Sequence, residues 1–198
     1  MVPNLTAFLM LLFATFACSS ASENEALRAQ LLKMAELDQA ARSPDQVAGV
    51  SDKEMAVAKL NMEIAKLNVE HANRLKSIIA VYGWPGRSLV GNDAARAAWL
   101  IVQHADHDPE FQRRVLQILE PLVSTGEVSG SEYAYLWDRT HTPQRYGTQG
   151  ECTKDGDWRV REIESPAQVD SRRAAAGLFP EKLEDYIQMA LGLCRKQG

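Results

Sequence analysis

The chain has 198 residues, of which 45% are hydrophobic and 24% are charged, and its formal net charge is −4. This composition is typical of a globular protein, and the length favours one domain. No stretch of Lys or Arg is dense enough to neutralise a phosphate backbone, so we expect no nucleic-acid partner.

The first residues predict export. The first 22 residues contain no Asp, Glu, Lys or Arg, and residues 5–18 form an apolar run that is too short to span a bilayer. This pattern suits a signal peptide over residues 1–21, followed by a single domain over residues 22–198. The residues before Cys18 also resemble a bacterial lipobox, whose cysteine would carry a lipid and anchor the protein to a membrane. We therefore expect a periplasmic or secreted protein, with lipoprotein processing as the open alternative.

Two cysteines, Cys152 and Cys194, remain in the predicted domain. In an oxidising compartment they can form one disulfide bond. The alternative is that Cys194 is a small buried hydrophobic residue of the last helix. The sequence leaves both interpretations open.

The N-terminal half predicts two helices. Helix-forming residues at positions 23–42 give the first, which Ser43 and Pro44 end. A capping box of Ser51 and Glu54 opens the second, which runs to Tyr82. Its apolar stripe predicts a core face made of Leu60, Ile64, Leu67, His71, Leu75, Ile78 and Tyr82.

Residues 83–91 contain three glycines and one proline, which predicts an irregular loop. Asn92 then caps a third helix, which we expect over residues 92–107 and which carries most of "QHADHD" (103–108) to the elbow with the fourth helix. Asp108 caps the next helix, because its carboxylate precedes a proline that occupies the first turn and needs no amide partner.

The C-terminal part predicts a short helix over residues 129–141 and then a β-hairpin near residues 144–164, with an Asp-Gly turn at 155–156. Two further helices follow, one stopped by Gly177 and one starting at Pro180. The predicted fold class is therefore mainly α, a compact single-domain helical bundle with one small β-hairpin.

Polar residues that interrupt apolar segments are the candidates for chemistry. His104 adjoins apolar residues on the third helix, which favours a neutral imidazole that can act as a general base near pH 7. Asp138 would orient this imidazole, and Arg139 and Arg145 would hold an anionic substrate group. The alternative is a buried polar network that only locks the fold. The residues predicted to bind the ligand are Gln103, His107, Arg145, Tyr146, Gln149, Asp38, Gln39 and Arg42.

A metal site is the weaker interpretation of the same segment. His104 and His107 would be neighbours at i and i+3 on a helix, but two imidazoles need a third protein ligand, for which Asp106 or Asp138 is available. We assign no metal, and the sequence names no cofactor.

Several motifs resemble those of an uncharacterised family of bacterial proteins with a domain of unknown function. The motifs occur in the family's order over nearly the whole mature chain, and the polar candidates above belong to them. One departure is Ser165, where the family more often has Asp before the proline. The resemblance implies that these polar residues share a site, but it brings no activity, cofactor or catalytic residue. The motifs are "MAELDQAAR" (34–42), "YGWPGRSLVG" (82–91), "AAWLIVQHADHDPEFQ" (97–112), "AYLWDR" (134–139), "QRYGTQ" (144–149) and "VDSRRAAAGL" (169–178).

We expect an exported protein that binds or hydrolyses a small polar or anionic ligand in a His/Asp/Arg cleft. The alternative is a non-enzymatic envelope protein, whose partner would dock on an exposed apolar patch at Met55, Met62 and Val69 of the long second helix. The sequence does not predict an oligomeric state.

Overall fold

The computed structural model describes residues 24–194 of the chain. Within this range 68% of the residues are helical, in eight helices, and the sheet is a single antiparallel pair of strands. The predicted mainly α fold class is confirmed. The predicted signal peptide and Cys18 lie outside the described residues. Among residues 24–194, no helix has both the length and the apolar character that crossing a bilayer requires.

The described residues fall into two compact units, one that ends at Ile101 and one that begins at Val102. The single domain predicted over residues 22–198 stays a prediction. The helices that begin in the first unit are α1 (24–41), α2 (Lys53–Tyr82), α3 (Arg87–Val90) and α4 (Asn92–Gln103), with a 3-10 turn at Pro44–Val47 between α1 and α2.

Two details of α2 differ from prediction. Its N-cap is Asp52, whose side chain accepts from the amide of Met55, and not the predicted capping box at Ser51. The core face is also shorter than predicted. Of the seven expected core residues, only His71, Leu75 and Ile78 are buried. Leu60, Ile64 and Leu67 are half-buried, and Tyr82 is exposed.

The loop at residues 83–91 contains one helical turn, α3, which the sequence did not predict. Trp84 and Pro85 are buried before it, and Gly83 and Gly91 on either side have φ angles of 72° and 82°. Glycine adopts such angles at low cost, so the chain can leave α2 and enter α4 without strain.

The second unit contains four helices and the hairpin. These elements are α5 (Pro109–Ser124), α6 (Gly130–Thr140), β1 (Gly150–Cys152), β2 (Trp158–Val160), α7 (Val169–Ala175) and α8 (Leu183–Cys194). The predicted hairpin is confirmed, with Glu151 opposite Arg159 in the register. The last helix begins at Leu183, three residues after the predicted start at Pro180.

The helix that carries "QHADHD" ends earlier than predicted, at Gln103. His104 and His107 therefore lie in a turn, and the prediction that they are helical neighbours is wrong. The side-chain amide of Gln112 on α5 explains the early end, because it donates to the carbonyl oxygens of Val102 (3.0 Å) and Gln103 (3.5 Å). These are carbonyls of the last helical turn, which have no partner within the helix.

The N-termini of α5 and α6 are both capped by side chains. Asp108 accepts from the amide of Phe111 at 2.9 Å, which confirms the predicted start of α5. Ser129 and Glu132 form a capping box at the start of α6. The two helices pack together and bury Phe111 and Leu136.

A disulfide bond joins Cys152 of β1 to Cys194 of α8. The first of the two sequence interpretations is therefore confirmed. The bond links the hairpin to the end of the last described helix.

Candidate functional site

Asp138 of α6 holds the segment that follows the helix. Its carboxylate is 1% exposed and accepts from the backbone amides of Arg145 (2.7 Å), Tyr146 (3.0 Å) and Thr148 (2.9 Å). The Thr148 hydroxyl donates to it as well, at 2.9 Å. Since an ionised carboxylate offers about four acceptor positions, these donors occupy most of its capacity. Its predicted pairing with His104 stays a prediction.

Gln144 closes the other side of this segment. The side chain is 1% exposed, and its amide donates to the carbonyl oxygens of Gln149 (3.0 Å) and Arg161 (2.9 Å). Its own oxygen accepts from the Gln149 amide at 2.9 Å. Gln144 and Thr148 were not among the predicted site residues, although both belong to the quoted motif "QRYGTQ". The segment 144–149 is therefore held from both sides by buried polar side chains, and we call it the QRYGTQ loop.

Arg139 joins the turn after α4 to the QRYGTQ loop. Its guanidinium forms a two-point ion pair with Asp106 and donates to the side-chain oxygen of Gln149 at 3.2 Å. Burial alone would raise the pKa of Asp106, but the hydrogen bonds and charge of Arg139, with a hydrogen bond from Gln112, hold it below its usual value. The positive charge of Arg139 is thus compensated by the carboxylate of Asp106, which the sequence analysis named only as a candidate metal ligand.

His104, half-buried in this turn, lies close enough to Asp106 for its charge to help lower the carboxyl pKa. His107 is exposed. Gln103 is buried, and its side-chain nitrogen has no hydrogen-bond partner among residues 24–194. In the same range, no three His, Cys, Asp or Glu side chains are grouped as a metal ligand set. The pair His104 and His107 therefore lacks the third protein ligand that the metal interpretation required.

Arg145 lies against an aromatic stack. Its guanidinium carbon is 4.4 Å from the centroid of the Trp137 ring, and its Nε donates to Glu164 at 3.2 Å. His141 stacks on Trp137 with centroids 4.1 Å apart, and Tyr146 meets the same ring edge-on at 6.3 Å. The aromatic stack therefore fixes the direction in which Tyr146 leaves the loop.

Two arginines of α7 were missed as site residues, although both lie in a quoted motif. Arg173 is 0% exposed and donates to the carbonyl oxygens of Tyr146 (2.7 Å) and Pro180 (2.6 Å). Burial lowers its pKa. Arg172 donates from Nε to the Arg145 carbonyl at 2.8 Å and from Nη2 to the carbonyl of Glu164. Neither guanidinium forms an ion pair with a carboxylate within the described part of the chain.

A cleft of about 250 Å³ opens between α5, α6, α7 and the QRYGTQ loop. Tyr133, Tyr146 and Arg172 supply its polar groups, and neither phenol hydroxyl hydrogen-bonds to another residue in the range 24–194. Burial raises the pKa of both tyrosines; the charges of Arg145 and Arg172 oppose this in part at Tyr146. Both therefore remain protonated hydrogen-bond donors at neutral pH. The remaining lining residues are Val123, Gly130, Ala175 and Ala176.

A separate polar cluster lies in the first unit. Asp38 is 1% exposed and accepts from Arg42 (2.9 Å) and Gln39 (2.8 Å), and Arg42 also donates to Asn68 at 2.7 Å. Buried His71 lies beside this cluster, and its Nδ1 has no partner among the described residues. Burial lowers the pKa of His71, although the charge of Asp38 opposes this. The prediction that Asp38, Gln39 and Arg42 contribute to the ligand site stays a prediction.

These contacts define a mainly α-helical protein whose second unit carries a small, partly apolar cleft with convergent phenol and guanidinium groups. The chain belongs to a family of unknown function, DUF6624, whose family model matches residues 25–194. The predicted membership of an uncharacterised family is therefore confirmed. No curated protein and no solved structure matches the chain.

Proposed function

We propose that the protein binds a small anionic ligand in the cleft of its second unit. The observation that carries this proposal is that Arg172 lines the same cleft as Tyr133 and Tyr146. Among the described residues, its guanidinium has no carboxylate partner and donates to backbone carbonyls, and neither tyrosine hydroxyl has a hydrogen-bond partner. Arginine keeps its charge at any physiological pH. A charge that is compensated only by carbonyl dipoles attracts an anion more strongly than one already paired with a carboxylate.

The arginines first predicted to hold the anion are less suited to this role. Arg139 is paired with Asp106, and Arg145 is paired with Glu164. An anion would have to displace a carboxylate from either of them. Arg172 requires no such exchange.

The proposal can be tested with acetate as the probe, titrated into the full chain and followed by two-dimensional amide NMR spectra. We expect the amides of Gly130, Tyr133 and Tyr146 to shift in a saturable manner. Arg172→Gln should abolish the shifts, whereas Arg113→Gln, which removes an exposed arginine of α5 outside the cleft, should leave them unchanged. Shifts that are absent in the native protein, or that survive in the Arg172 variant, would contradict the proposal.

A double variant tests whether the loss of binding in Arg172→Gln is indirect. Arg172 also donates to backbone carbonyls, so its replacement can change the structure around the cleft. Tyr133→Phe combined with Tyr146→Phe removes only the two hydroxyl groups, neither of which has a partner in the described structure. We expect this double variant to keep the melting temperature of the native protein and to weaken acetate binding. If the double variant binds acetate with unchanged affinity, the anion does not bind in the cleft.

A hydrolase-like step is a separate proposal, because His104, its general base, is not among the residues that line this cleft. Its support is that the half-buried imidazole lies beside the Asp106–Arg139 pair. His104→Ala should change the melting temperature by no more than about 2 °C while it removes turnover of a substrate identified by screening. A large loss of stability with unchanged turnover would assign the imidazole to the polar network alone.

One observation favours a second candidate function, docking of an envelope partner on α2. Met55, Met62 and Val69 lie seven residues apart and are 68%, 74% and 40% exposed. An envelope extract passed over immobilised protein should yield one stoichiometric partner, which Met62→Lys should release. If the native protein and the Met62→Lys variant retain the partner equally, α2 is not the docking surface.

We further propose that the protein is exported. The support is the disulfide between Cys152 and Cys194, because such bonds persist in oxidising compartments and are rare in the cytosol. Fractionation of cells that express the full chain should recover it outside the cytoplasm. Recovery in the cytoplasm alone would contradict this part.

A further inference from the structure

The walls of the cleft restrict the kind of anion that it can take. Besides the polar groups of Tyr133, Tyr146 and Arg172, its lining contains the apolar side chains of Val123, Ala175 and Ala176. Gly130 lets α6 approach α7 closely, since a Cβ at this position would lie 2.8 Å from the carbonyl oxygen of Ala176. The ligand therefore meets a cationic end and an apolar wall.

The hydrogen bonds of Arg172 limit how it can hold an anion. Its Nε donates to the carbonyl of Arg145, and its Nη2 donates to the carbonyls of Glu164 and Ser165. Nη1 has only one long contact, 3.5 Å to the Gln168 side chain. The paired Nε and Nη2 donors that grip a phosphate or carboxylate from two sides are thus already in use. An anion can bind through Nη1 and a phenol hydroxyl, which suits a group with two oxygens.

The volume of the cleft also favours a ligand larger than a bare anion. The cleft volume of about 250 Å³ is far larger than the space that one water molecule needs, about 10–15 Å³. Inorganic phosphate would fill only part of this space and would leave the apolar wall in contact with water. An apolar body in the remaining space would gain the free energy of removing that surface from water.

Resting on the proposed anion-binding function, we propose that the natural ligand is a monocarboxylate with an apolar body, for which benzoate is a probe. Its carboxylate lies between Arg172 Nη1 and the tyrosine hydroxyls, and its apolar body lies against Val123, Ala175 and Ala176. Inorganic phosphate, which has no apolar body, is not the preferred ligand of this site.

The test compares three probes by calorimetric titration into the full chain: benzoate, inorganic phosphate and benzyl alcohol. Benzoate should bind at least tenfold more tightly than either of the others, because only benzoate satisfies both ends of the cleft. Phosphate or benzyl alcohol that binds as tightly as benzoate would overturn the inference. If phosphate binds and benzoate does not, only the inference fails. If neither anion binds, the proposed function fails with it.

A matched pair of variants locates the benzoate site. Ala175→Leu adds three carbon atoms to the cleft wall, whereas Ala174→Leu makes the same change on the exposed neighbouring position of α7 that does not line the cleft. Ala175→Leu should weaken benzoate binding at least tenfold, and Ala174→Leu should leave it unchanged. Equal affinities of the two variants would overturn the placement of the ring.

Discussion

Replacing Asp138 by Asn tests whether this carboxylate holds the QRYGTQ loop and, with it, the wall of the cleft. The carboxylate accepts three backbone amides and one hydroxyl, and both Asp138 and Thr148 are buried. An asparagine keeps one acceptor oxygen and turns the other into a donor. At the Oδ2 position the amide of Thr148 would then face an N–H group and lose its partner.

The magnitude follows from the hydrogen bonds that this substitution removes. A hydrogen bond to a charged group contributes about 1.5–3 kcal/mol, and a buried donor left without a partner costs about 1–3 kcal/mol. The Thr148 hydroxyl can rotate and accept from the new amide, so its bond is kept. We therefore expect Asp138→Asn to lower the free energy of unfolding by about 3–4 kcal/mol.

Urea unfolding of the full chain measures this effect, and Asp170→Asn is the matched control. Asp170 is exposed and accepts one backbone amide, that of Leu183, at 2.9 Å. We expect its replacement to cost only about 0.5–1 kcal/mol. If the two substitutions cost the same, or if Asp138→Asn costs less than about 1 kcal/mol, the loop is not held by this carboxylate.

Three further changes test other parts of the structure. Burial holds the pKa of His71 below its unfolded value, so near this pKa the unfolded chain binds more protons than the folded chain. The free energy of unfolding should therefore fall as the pH drops below about 6.5. In His71→Phe, the urea midpoint should depend less on pH between pH 5 and pH 7.5 than it does in the native protein. Gly130→Ala should lower the melting temperature in calorimetry and cost about 1–3 kcal/mol, since its Cβ would meet the Ala176 carbonyl oxygen at 2.8 Å; an unchanged melting temperature would show that α6 and α7 can separate freely. Reduction of the bond between Cys152 and Cys194, 42 residues apart, should cost about 4 kcal/mol on the chain-entropy model, measured as the urea midpoint with and without dithiothreitol; equal midpoints would contradict this.

Local signals made several elements predictable. The start of α5 depends on Asp108 and Pro109, which are adjacent in sequence, and the cap forms as expected. The hairpin turn at 155–156 depends on an Asp-Gly pair between two alternating segments. In both cases the residues that decide the structure lie within a few positions of it.

Elements that depend on distant partners were not predictable. The carbonyl of Val102 in the last turn of α4 is satisfied by the side-chain amide of Gln112 at 3.0 Å, ten residues further along the chain. The apolar residues in the first half of α2 also suggested a core face, although burial depends on whether another element covers them. The spacing of these apolar residues is the same whether or not another element covers them, so the sequence alone does not predict their burial.

In the candidate site, too, the sequence predicted the residues with a local signal and missed those that depend on distant contacts. The sequence identified Asp138, Arg139 and Tyr146, because polar residues within an apolar pattern are conspicuous. It missed Arg172 and Arg173, since two adjacent arginines on a helix are normally solvated. Their importance comes from the carbonyl groups of loops that only the folded chain brings to α7.

A crystal structure of the full chain soaked with 4-bromobenzoate tests the central claim most directly, because the anomalous signal of bromine locates the ring without ambiguity. The account predicts that the carboxylate lies beside Arg172 and the tyrosine hydroxyls, with the bromine against Ala175 and Ala176. Bromine sites found only elsewhere on the protein, with water alone in the cleft, would contradict it.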